Sequence, residues 1–368
     1  MKLALVAAEA SGDLHASEVI HELKKLDPSL TLFGIGGDHL AAEGMEILHH
    51  AREMAIVGLF NVIRRLPLFR RAFREMVERI ERERPDAVVL VDYPGFNIRL
   101  ARRARELGIR VIYYISPQIW AWRRGRVKQI ERFVDRMIVI FPFEAEFYRE
   151  HHVPVTYVGN PVIEQLAHID PDARRPGDVP RIALLPGSRV DEVTALLPPM
   201  LSAVERLRRE RSVDAWIVRA PTIERALIDR IAAERGVILP VREHEDGRAI
   251  AEADVALSSS GTATLECAVA GTPVVVMYRL SRVTYWLALR LVKVPHFSLV
   301  NIIAGKEVVP ELLQHEVNGE RIAGEVRRLL DPAVREAMRG ELARVRERLG
   351  GPGASRRAAE AIMSELRA

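Results

Sequence analysis

Short runs of apolar, largely β-branched residues recur along the chain without alternating polar positions, and most end in a polar or glycine-containing turn. Such runs are typical of strands buried on both faces of a parallel sheet. In the first half they lie at 2–8, 30–33, 87–91, 111–115 and 137–140. After a stretch rich in Pro, Asp and Arg at 170–180, they resume at 182–185, 215–218, 237–239, 254–257 and 274–277.

Helical patterns separate these runs, as at Ala16, Val19, Ile20, Leu23 and Leu26. The alternation predicts an α/β protein of two doubly wound, Rossmann-like domains, with ligand sites at strand ends facing an interdomain cleft. We expect domains at 1–165 and 166–345. We expect 346–368 to form a helix that packs back on the first domain or exchanges into a partner subunit.

Composition supports this division, because 368 residues are too many for one ordinary core. Hydrophobic residues at 48% and a net charge of +4 are ordinary for a globular protein that needs no nucleic acid. The apolar window at 255–278 is broken by turns, and the first eight residues are too few for a secretory signal. Cys267 stands alone and is expected to be a small buried thiol, which favours a reducing cytoplasm.

The strongest candidate site is the segment from Ser258 to Glu266, where small residues follow a buried strand. Free amides at the start of a helix, together with its dipole, favour an anion such as a diphosphate. Glu266, one turn further on, can accept hydrogen bonds from ribose hydroxyls. The alternative is a capped structural helix without a ligand.

A second anion site is predicted at Gly187-Ser188-Arg189, followed by Glu192. Ser188 and Asp191 can cap the next helix without any ligand. Arg189 in a first turn opposes the helix dipole, which favours a role facing a diphosphate. The alternative is a surface Arg paired with a neighbouring carboxylate.

Asp92 follows the strand at 87–91, at the carboxyl edge where α/β enzymes hold their ligands. A carboxylate there can remove a proton from an attacking hydroxyl, and partial burial would raise its pKa toward that task. An Asx-type turn residue is an equal alternative.

Two glycine-containing loops, at 9–13 with Ser11 and Gly12 and at 34–37, lack the full dinucleotide fingerprint. Their glycines indicate a ligand loop or close packing of helix on strand. Trp120 and Trp122, with the basic residues that follow, suit a sugar face and a phosphate, although core packing is the alternative.

The segment from Met54 to Met76 mixes apolar side chains with five arginines. It predicts contact with an anionic membrane surface or acyl chains, and ordinary helix packing is the alternative. The histidines show no metal-site spacing, so we expect neither a metal nor a cofactor.

Seven ordered motifs together resemble the lipid-A-disaccharide synthases, family-19 glycosyltransferases of Gram-negative bacteria. The resemblance runs from Leu3 to about Leu313. The motifs are Glu9-Ala-Ser-Gly-Asp13, Asp92-Tyr-Pro-Gly-Phe-Asn97, Ser116-Pro-Gln-Ile-Trp-Ala-Trp-Arg123, Phe141-Pro-Phe-Glu144 with Phe147-Tyr148, Leu184-Leu-Pro-Gly-Ser-Arg189, Ser259-Ser-Gly-Thr-Ala-Thr-Leu-Glu266 and Ser298-Leu-Val-Asn301.

The resemblance implies a GT-B fold and an inverting, metal-free transfer from UDP-2,3-diacylglucosamine to 2,3-diacylglucosamine 1-phosphate, at the cytoplasmic face of the inner membrane. It implies that Asp92 is the catalytic base and that Arg189, Glu266 and Asn301 hold the UDP moiety. The full set of expected substrate-binding residues is Ser11, Gly12, Trp120, Gly187, Ser188, Arg189, Glu192, Ser260, Gly261, Thr262, Ala263, Glu266 and Asn301.

The chain departs from the family pattern at Ala8, where Gly is common, and at Tyr93-Pro94-Gly95, which varies the turn after Asp92. The first change affects loop packing, and the second can tune acceptor choice. A relative of UDP-N-acetylglucosamine 2-epimerase and a non-catalytic nucleotide- or membrane-binding adaptor are the alternative functions, and a homodimer is compatible with each.

Overall fold

The computed structural model describes residues 1–54, 59–121, 124–172, 177–280, 285 and 295–367. Within them the chain divides into two compact units, one formed by Met1–Pro161 with Gly351–Ala368 and the other by Val162–Gly350. Two of the predicted features lie partly outside the described residues. These are Trp122 with Arg123, and residues 55–58 of the basic apolar segment together with the side chains of 59–65.

The first unit contains a parallel sheet whose described strands follow the order β3-β2-β1-β4-β5-β6-β7. Its strands are β1 Lys2–Ala7, β2 Thr31–Gly36, β3 Glu46–His50, β4 Ala87–Val91, β5 Arg110–Tyr114, β6 Arg136–Val139 and β7 Val155–Tyr157. Its helices are α1 Ala10–Leu26, α2 Asp38–Ala42, α3 Ala51–Met54, α4 Leu59–Glu83, α5 Pro94–Glu106, α6 Val127–Phe133 and α7 Pro142–Glu150, with a 3₁₀ turn at Arg124–Arg126.

The second unit contains a parallel sheet with the described order β10-β9-β8-β11-β12-β13. Its strands are β8 Arg181–Leu185, β9 Asp214–Arg219, β10 Val241–Glu243, β11 Val255–Ser259, β12 Val274–Tyr278 and β13 Glu311–Leu313. Its helices are α8 Val162–Gln165, α9 Val190–Glu210, α10 Arg225–Arg235, α11 Arg248–Ala251, α12 Thr262–Val269, α13 Leu299–Ala304, α14 Gly319–Leu330 and α15 Pro332–Arg348, with a 3₁₀ turn at Gln314–Glu316. Two parallel sheets with helices confirm the predicted α/β class.

Helix α16, Ala354–Arg367, belongs to the first unit although it follows the second in sequence. It packs along α1. Arg136 on β6 donates to Glu365 at 2.9 Å, and Arg357 donates to the main-chain carbonyl of Val158 at 2.8 Å. Ala358 and Ala359 are fully buried, so apolar contact and these hydrogen bonds together fix the helix.

Two predicted strands have different bounds. The run at 237–239 is not a strand. Gly236 ends α10 at φ +66°, and pairing with β9 starts where the Pro240 carbonyl accepts from the N–H of Ile217. The strand itself begins at Val241. Strand β2 continues past residue 33 through Gly34, Ile35 and Gly36. Gly34 has φ +151°, and a Cβ there would lie 1.9 Å from the Leu5 carbonyl oxygen, so close strand packing explains this glycine.

The described half of the basic apolar segment belongs to the core of the first unit. Ala72 and Met76 are fully buried, and Phe69 and Phe73 pack against the same apolar cluster. Among the described residues, no helix has the length and hydropathy needed to cross a membrane. Cys267 is buried, as predicted.

Candidate functional site

Asp92 lies where β4 ends, and the sheet register places it beside the end of β1. Ala7 on β1 is paired with Val91 on β4, so Glu9 and Asp92 leave neighbouring strands at one edge. Both Asp92 and Tyr93 have positive φ, at +43° and +48°, which is unusual for residues other than glycine. The chain therefore turns sharply after β4 and enters α5 at Pro94.

Buried polar side chains fix this turn through hydrogen bonds to its main chain. The Asp92 carbonyl accepts hydrogen bonds from the amide of Asn97, at 2.7 Å, and from the hydroxyl of Tyr113. Asn97 is fully buried and also donates to the carbonyl of Val91 at 3.1 Å. Since the main chain is fixed on both sides of Asp92, its carboxylate is held at a defined position.

Burial and charge both change the acidity of Asp92. Burial, reinforced by the negative charge of Glu9, raises the pKa of Asp92 to about 7. The same two causes raise the pKa of Tyr93 to about 12, and its hydroxyl donates to the carbonyl of Met54 at 3.0 Å. A carboxyl group with a pKa near neutrality can exchange protons at physiological pH.

The glycine-containing loops around β1 and β2 are tied together by Asp13. Its buried carboxylate accepts from the main-chain N–H groups of Gly37 at 2.6 Å and His39 at 3.0 Å. A Cβ on Gly37 would lie 2.6 Å from that carboxylate, and one on Gly12 would lie 3.4 Å from Val91. Close packing therefore accounts for Gly37, whereas a Cβ on Gly12 would make only ordinary contacts. Ser11 is exposed at the same sheet edge as Glu9.

Trp120 is buried among aromatic and polar side chains behind the ends of β5 and β6. Its indole N–H donates to Oε1 of Glu144 at 3.1 Å, and its ring meets Phe143 edge to face at 4.8 Å. Burial raises the pKa of Glu144 to about 8. The structure therefore places Trp120 in the core, as the packing alternative predicted, with 6% of its surface exposed.

In the second unit, two predicted loops end on neighbouring strands. Leu185 on β8 is paired with Ser258 on β11, so the Gly187 loop and the Gly261 loop leave the same edge of the sheet. Next to them, β12 ends at Tyr278, whose ring stacks on Phe297 at 5.9 Å. The hydroxyl of Ser260 donates to the Phe297 carbonyl at 2.9 Å and so ties the second loop to this segment.

Arg189 occupies the N-cap position of α9 and reaches Glu192. Nη1 of Arg189 donates to Oε1 of Glu192 at 2.8 Å, and Oε2 of Glu192 accepts from the main-chain N–H of Ser188 at 3.2 Å. The prediction that Ser188 and Asp191 cap this helix is wrong. The N-cap residue is Arg189, which makes no side-chain cap, because the Glu192 carboxylate satisfies the loop instead. Two-thirds of the Arg189 side chain is exposed.

Helix α12 begins at Thr262 after Gly261, whose extended backbone provides no side-chain cap. The main-chain amides of Thr262 and Ala263 therefore begin a helix whose N-cap residue offers no side-chain acceptor. Thr264 bonds back to the Gly261 carbonyl at 2.7 Å and closes the first turn. The anion site predicted at this helix start remains a prediction.

Glu266 pairs with a histidine that was not among the predicted site residues. His244 lies directly after β10, and its Nε2 forms a hydrogen bond to Oε2 of Glu266. This hydrogen bond raises the pKa of His244. Only 13% of the Glu266 side chain and 27% of the His244 side chain are exposed.

Asn301 is fully buried in α13 and is engaged on all sides. Its amide donates to Val309 and Glu311, and its carbonyl oxygen accepts from the N–H groups of Val308 and Val309. All four hydrogen-bonding positions of this side chain are used within the unit. A direct contact from Asn301 to a nucleotide would therefore break one of these bonds.

Sequence reasoning missed Glu9, Glu144 and His244 as site residues. Glu9 had a signal, since a carboxylate directly after β1 must lie beside the end of a paired strand. Glu144 and His244 meet Trp120 and Glu266 only through tertiary packing, and no local pattern predicts either pair. Among the described residues, no group of three His, Cys, Asp or Glu side chains is arranged to hold a metal ion.

Known proteins of one family match this sequence along nearly the whole chain. A family model described as Lipid-A-disaccharide synthetase matches residues 3–363. The lipid-A-disaccharide synthase of Myxococcus xanthus is 46% identical over 373 residues, which cover 99% of this chain and 97% of that protein. The one from Geobacter metallireducens is 41% identical over 379 residues, with coverage of 99% and 97%.

Solved structures share the fold at much lower identity. A UDP-N-acetylglucosamine 2-epimerase from Neisseria meningitidis, bound to UDP-GlcNAc, has a TM-score of 0.67 at 14% identity and covers 99% of this chain and 100% of its own. The spinosyn forosaminyltransferase has a TM-score of 0.63 at 12% identity, with coverage of 100% and 99%. The fold is that of GT-B glycosyltransferases and related epimerases.

Proposed function

The chain belongs to the lipid-A-disaccharide synthase family, and from that premise we propose the substrates and the mechanism of the glycosyl transfer that it performs in lipid A biosynthesis. The donor is UDP-2,3-diacylglucosamine, and the acceptor is 2,3-diacylglucosamine 1-phosphate. The products are the β-1,6-linked disaccharide 1-phosphate and UDP.

Asp92 is the base in this proposal. Its carboxylate takes the proton of the acceptor 6-hydroxyl while that oxygen forms a bond to the anomeric carbon of the donor. The bond from that carbon to the diphosphate oxygen breaks, and UDP leaves with the electron pair. Attack opposite to the leaving group inverts the anomeric configuration and requires a single base. The observation that supports this role is the pKa of about 7 at a fixed strand-end carboxylate.

The donor site in this proposal lies at the β8 and β11 edge of the second unit. The N-terminal amides of α12 and the exposed guanidinium of Arg189 bind the diphosphate, and Glu266 accepts from the ribose hydroxyls. Glu192 and Ser188 position Arg189 through their hydrogen bonds. Gly187, Ser260, Gly261, Thr262 and Ala263 supply main chain that can approach the phosphates closely. Asn301 supports the site through the 308–311 loop.

Within the first unit, we assign acceptor binding to the edge formed by Ser11, Gly12 and Asp92. Trp120 supports that edge from the core through Glu144. The protein works at the cytoplasmic face of the inner membrane, where the side chains of the basic apolar segment that are not part of the core contact acyl chains. Lipid-linked substrates require such a surface, and flotation with anionic vesicles measures it. Homodimer formation is a further expectation, which sedimentation velocity measures.

The test is a reconstitution with the full chain. Purified protein incubated with both diacylated substrates should release UDP and form a disaccharide whose linkage is read by NMR. Absence of UDP release, alongside an active family member as control, would contradict the proposal. Supplying UDP-N-acetylglucosamine alone tests the epimerase alternative, for which conversion to the 2-epimer is the signature.

A further inference from the structure

A groove runs between α5 and α6 in the first unit, and its lining includes none of the residues proposed to bind the donor or the sugar of the acceptor. We call it the basic groove. It has a cavity volume of about 860 Å³, and its lining includes Ile98, Arg99 and Arg102 on α5 and Arg126, Lys128 and Arg132 at α6. The positions on α5 are spaced by three and four residues, so they share one helix face. Lys128 and Arg132 on α6 share a face for the same reason.

Five cations line this groove, and no Asp or Glu is among its described lining residues. Arg102 is paired on its outer side with Glu106 at 2.8 Å. Arg99, Lys128 and Arg132 are exposed, and Arg132 lies over the ring of Phe133 at 5.5 Å. Like charges held together on fixed helices repel one another, and an anion bound among them removes that cost.

The groove starts beside the turn that contains Asp92 and Tyr93. Pro94 and Gly95 line its mouth, and they follow Asp92 and Tyr93 directly in the chain. Arg99 lies five residues beyond Pro94, which is about 7.5 Å along a helix. A Cβ placed on Gly95 or Gly125 would meet no atom within 4 Å, so the mouth is open.

We propose that the basic groove binds the phosphomonoester of the sugar acceptor, an inference that rests on the proposed function. The 6-hydroxyl and the 1-phosphate lie at opposite ends of the sugar ring, so a hydroxyl at Asp92 directs the phosphate away from the turn and along α5. A phosphomonoester carries a charge of about −1.5 to −2 at pH 7 and offers three acceptor oxygens, which suits several guanidinium groups at once. Arg99, Lys128 and Arg132 are the residues that we assign to the phosphate.

The experiment compares two soluble short-chain acceptors, diacylglucosamine with and without the 1-phosphate, in solutions that contain no vesicles. The variant carries Arg99→Gln, Lys128→Gln and Arg132→Gln. We expect its KM and its calorimetric Kd for the phosphorylated acceptor to rise by about tenfold or more, as lost charge-assisted hydrogen bonds predict. The values for the unphosphorylated acceptor should stay at those of the wild type.

Arg103→Gln is the matched control, because Arg103 lies on α5 outside the groove and pairs with Glu106 at 2.5 Å. It should change neither constant. An unchanged thermal unfolding profile of the triple variant shows that its fold is intact, and Lys128→Gln alone is the milder variant if that profile changes. Equal shifts for both acceptors, or no shift for either, overturn the inference.

A third result overturns it as well. If the triple variant weakens binding to phosphatidylglycerol vesicles but leaves the Kd of the phosphorylated acceptor unchanged, the groove binds membrane headgroups instead. The proposed function fails separately, since it fails when the wild-type protein releases no UDP with the phosphorylated acceptor. The calorimetric Kd still tests the groove in that case, because binding is measured without turnover.

Discussion

The indole N–H of Trp120 donates to the buried carboxyl of Glu144 at 3.1 Å. The pair joins the segment after β5 to the first turn of α7, directly behind the edge that carries Asp92. Glu144 is 1% exposed, and burial raises its pKa to about 8, so at pH 7 this group is mainly a neutral acid. Its structural role therefore depends on its shape and its hydrogen bond more than on charge.

Glu144→Gln should fold normally, whereas Glu144→Ala should lower the free energy of unfolding by about 1–3 kcal/mol, because it leaves the buried indole N–H without its acceptor. The folded wild type keeps a proton on Glu144 that the unfolded chain releases between about pH 4.5 and 8. Wild-type stability should therefore fall as pH rises across that window. Thermal melts from pH 4 to 9 should show a flatter profile for Glu144→Gln. Parallel profiles for the two proteins would contradict the assignment.

Asp92→Asn should reduce kcat by a factor of about 10² to 10⁴, because the variant has no base for the acceptor hydroxyl. Asn tolerates the positive φ of this position, so the turn should persist. UDP affinity should be unchanged. In the wild type, activity should rise with pH through about 7 as the carboxyl ionises, and the initial rate against pH measures this limb.

The same substitution should also change stability. The pKa of Asp92 is raised on folding, so the folded state disfavours its ionised form and loses stability as pH increases from about 4 to 7. Asp92→Asn should therefore melt at a higher temperature than the wild type at pH 8.

Full turnover in the Asp92→Asn variant would refute the role of Asp92 as base.

Arg189→Ala and Glu266→Ala should each weaken UDP binding by about tenfold or more, since each removes a charged hydrogen-bonding partner of the ligand. Isothermal titration with UDP measures the effect. Arg209→Ala is the control, because Arg209 lies near the far end of the helix that Arg189 caps and forms an exposed pair with Glu205. If UDP binds all three variants as it binds the wild type, α12 begins at a structural turn and not at a nucleotide site.

The pKa of His244 depends on Glu266. Replacing Glu266 with Gln should lower that pKa toward 6.5, because the hydrogen bond to a carboxylate is the main cause of its elevation. The pair stabilises the fold fully below about pH 6.5, and its contribution is lost as pH rises through the raised pKa of His244. NMR titration of the imidazole protons measures the shift. An unchanged titration midpoint would show that the two side chains do not interact in solution.

The sequence predicted the inner strands of both sheets better than the edge strands. Strands β1, β4 and β11 are almost entirely buried and carry mostly apolar residues without polar alternation. Three of the four described edge strands, β3, β7 and β13, carry polar residues and are mostly only partly buried, so none of these three was predicted. The run at 237–239 was apolar enough for a strand, but the turn at Gly236 displaced the pairing to Val241.

In the candidate site, too, residues at strand ends were predicted and residues paired only by tertiary packing were not. Asp92 directly follows a buried strand, and Arg189 and the start of α12 follow one within a few residues, so the sequence predicted all three at a sheet edge. Trp120 was assigned to the sugar although the structure buries it against Glu144, since an indole followed by basic residues has the same pattern in either role. The hydrogen bond from His244 to Glu266 joins residues 22 apart, and only the folded chain reveals it.

The position of α16 has a consequence for biosynthesis. The ribosome completes the whole second unit before it makes the helix that covers α1, so the first unit must wait with the outer face of α1 uncovered. The second unit is continuous in sequence and can fold while the chain is still growing. Newly made chains should thus pass through a stage in which the second unit is folded while the first unit is still susceptible to proteases.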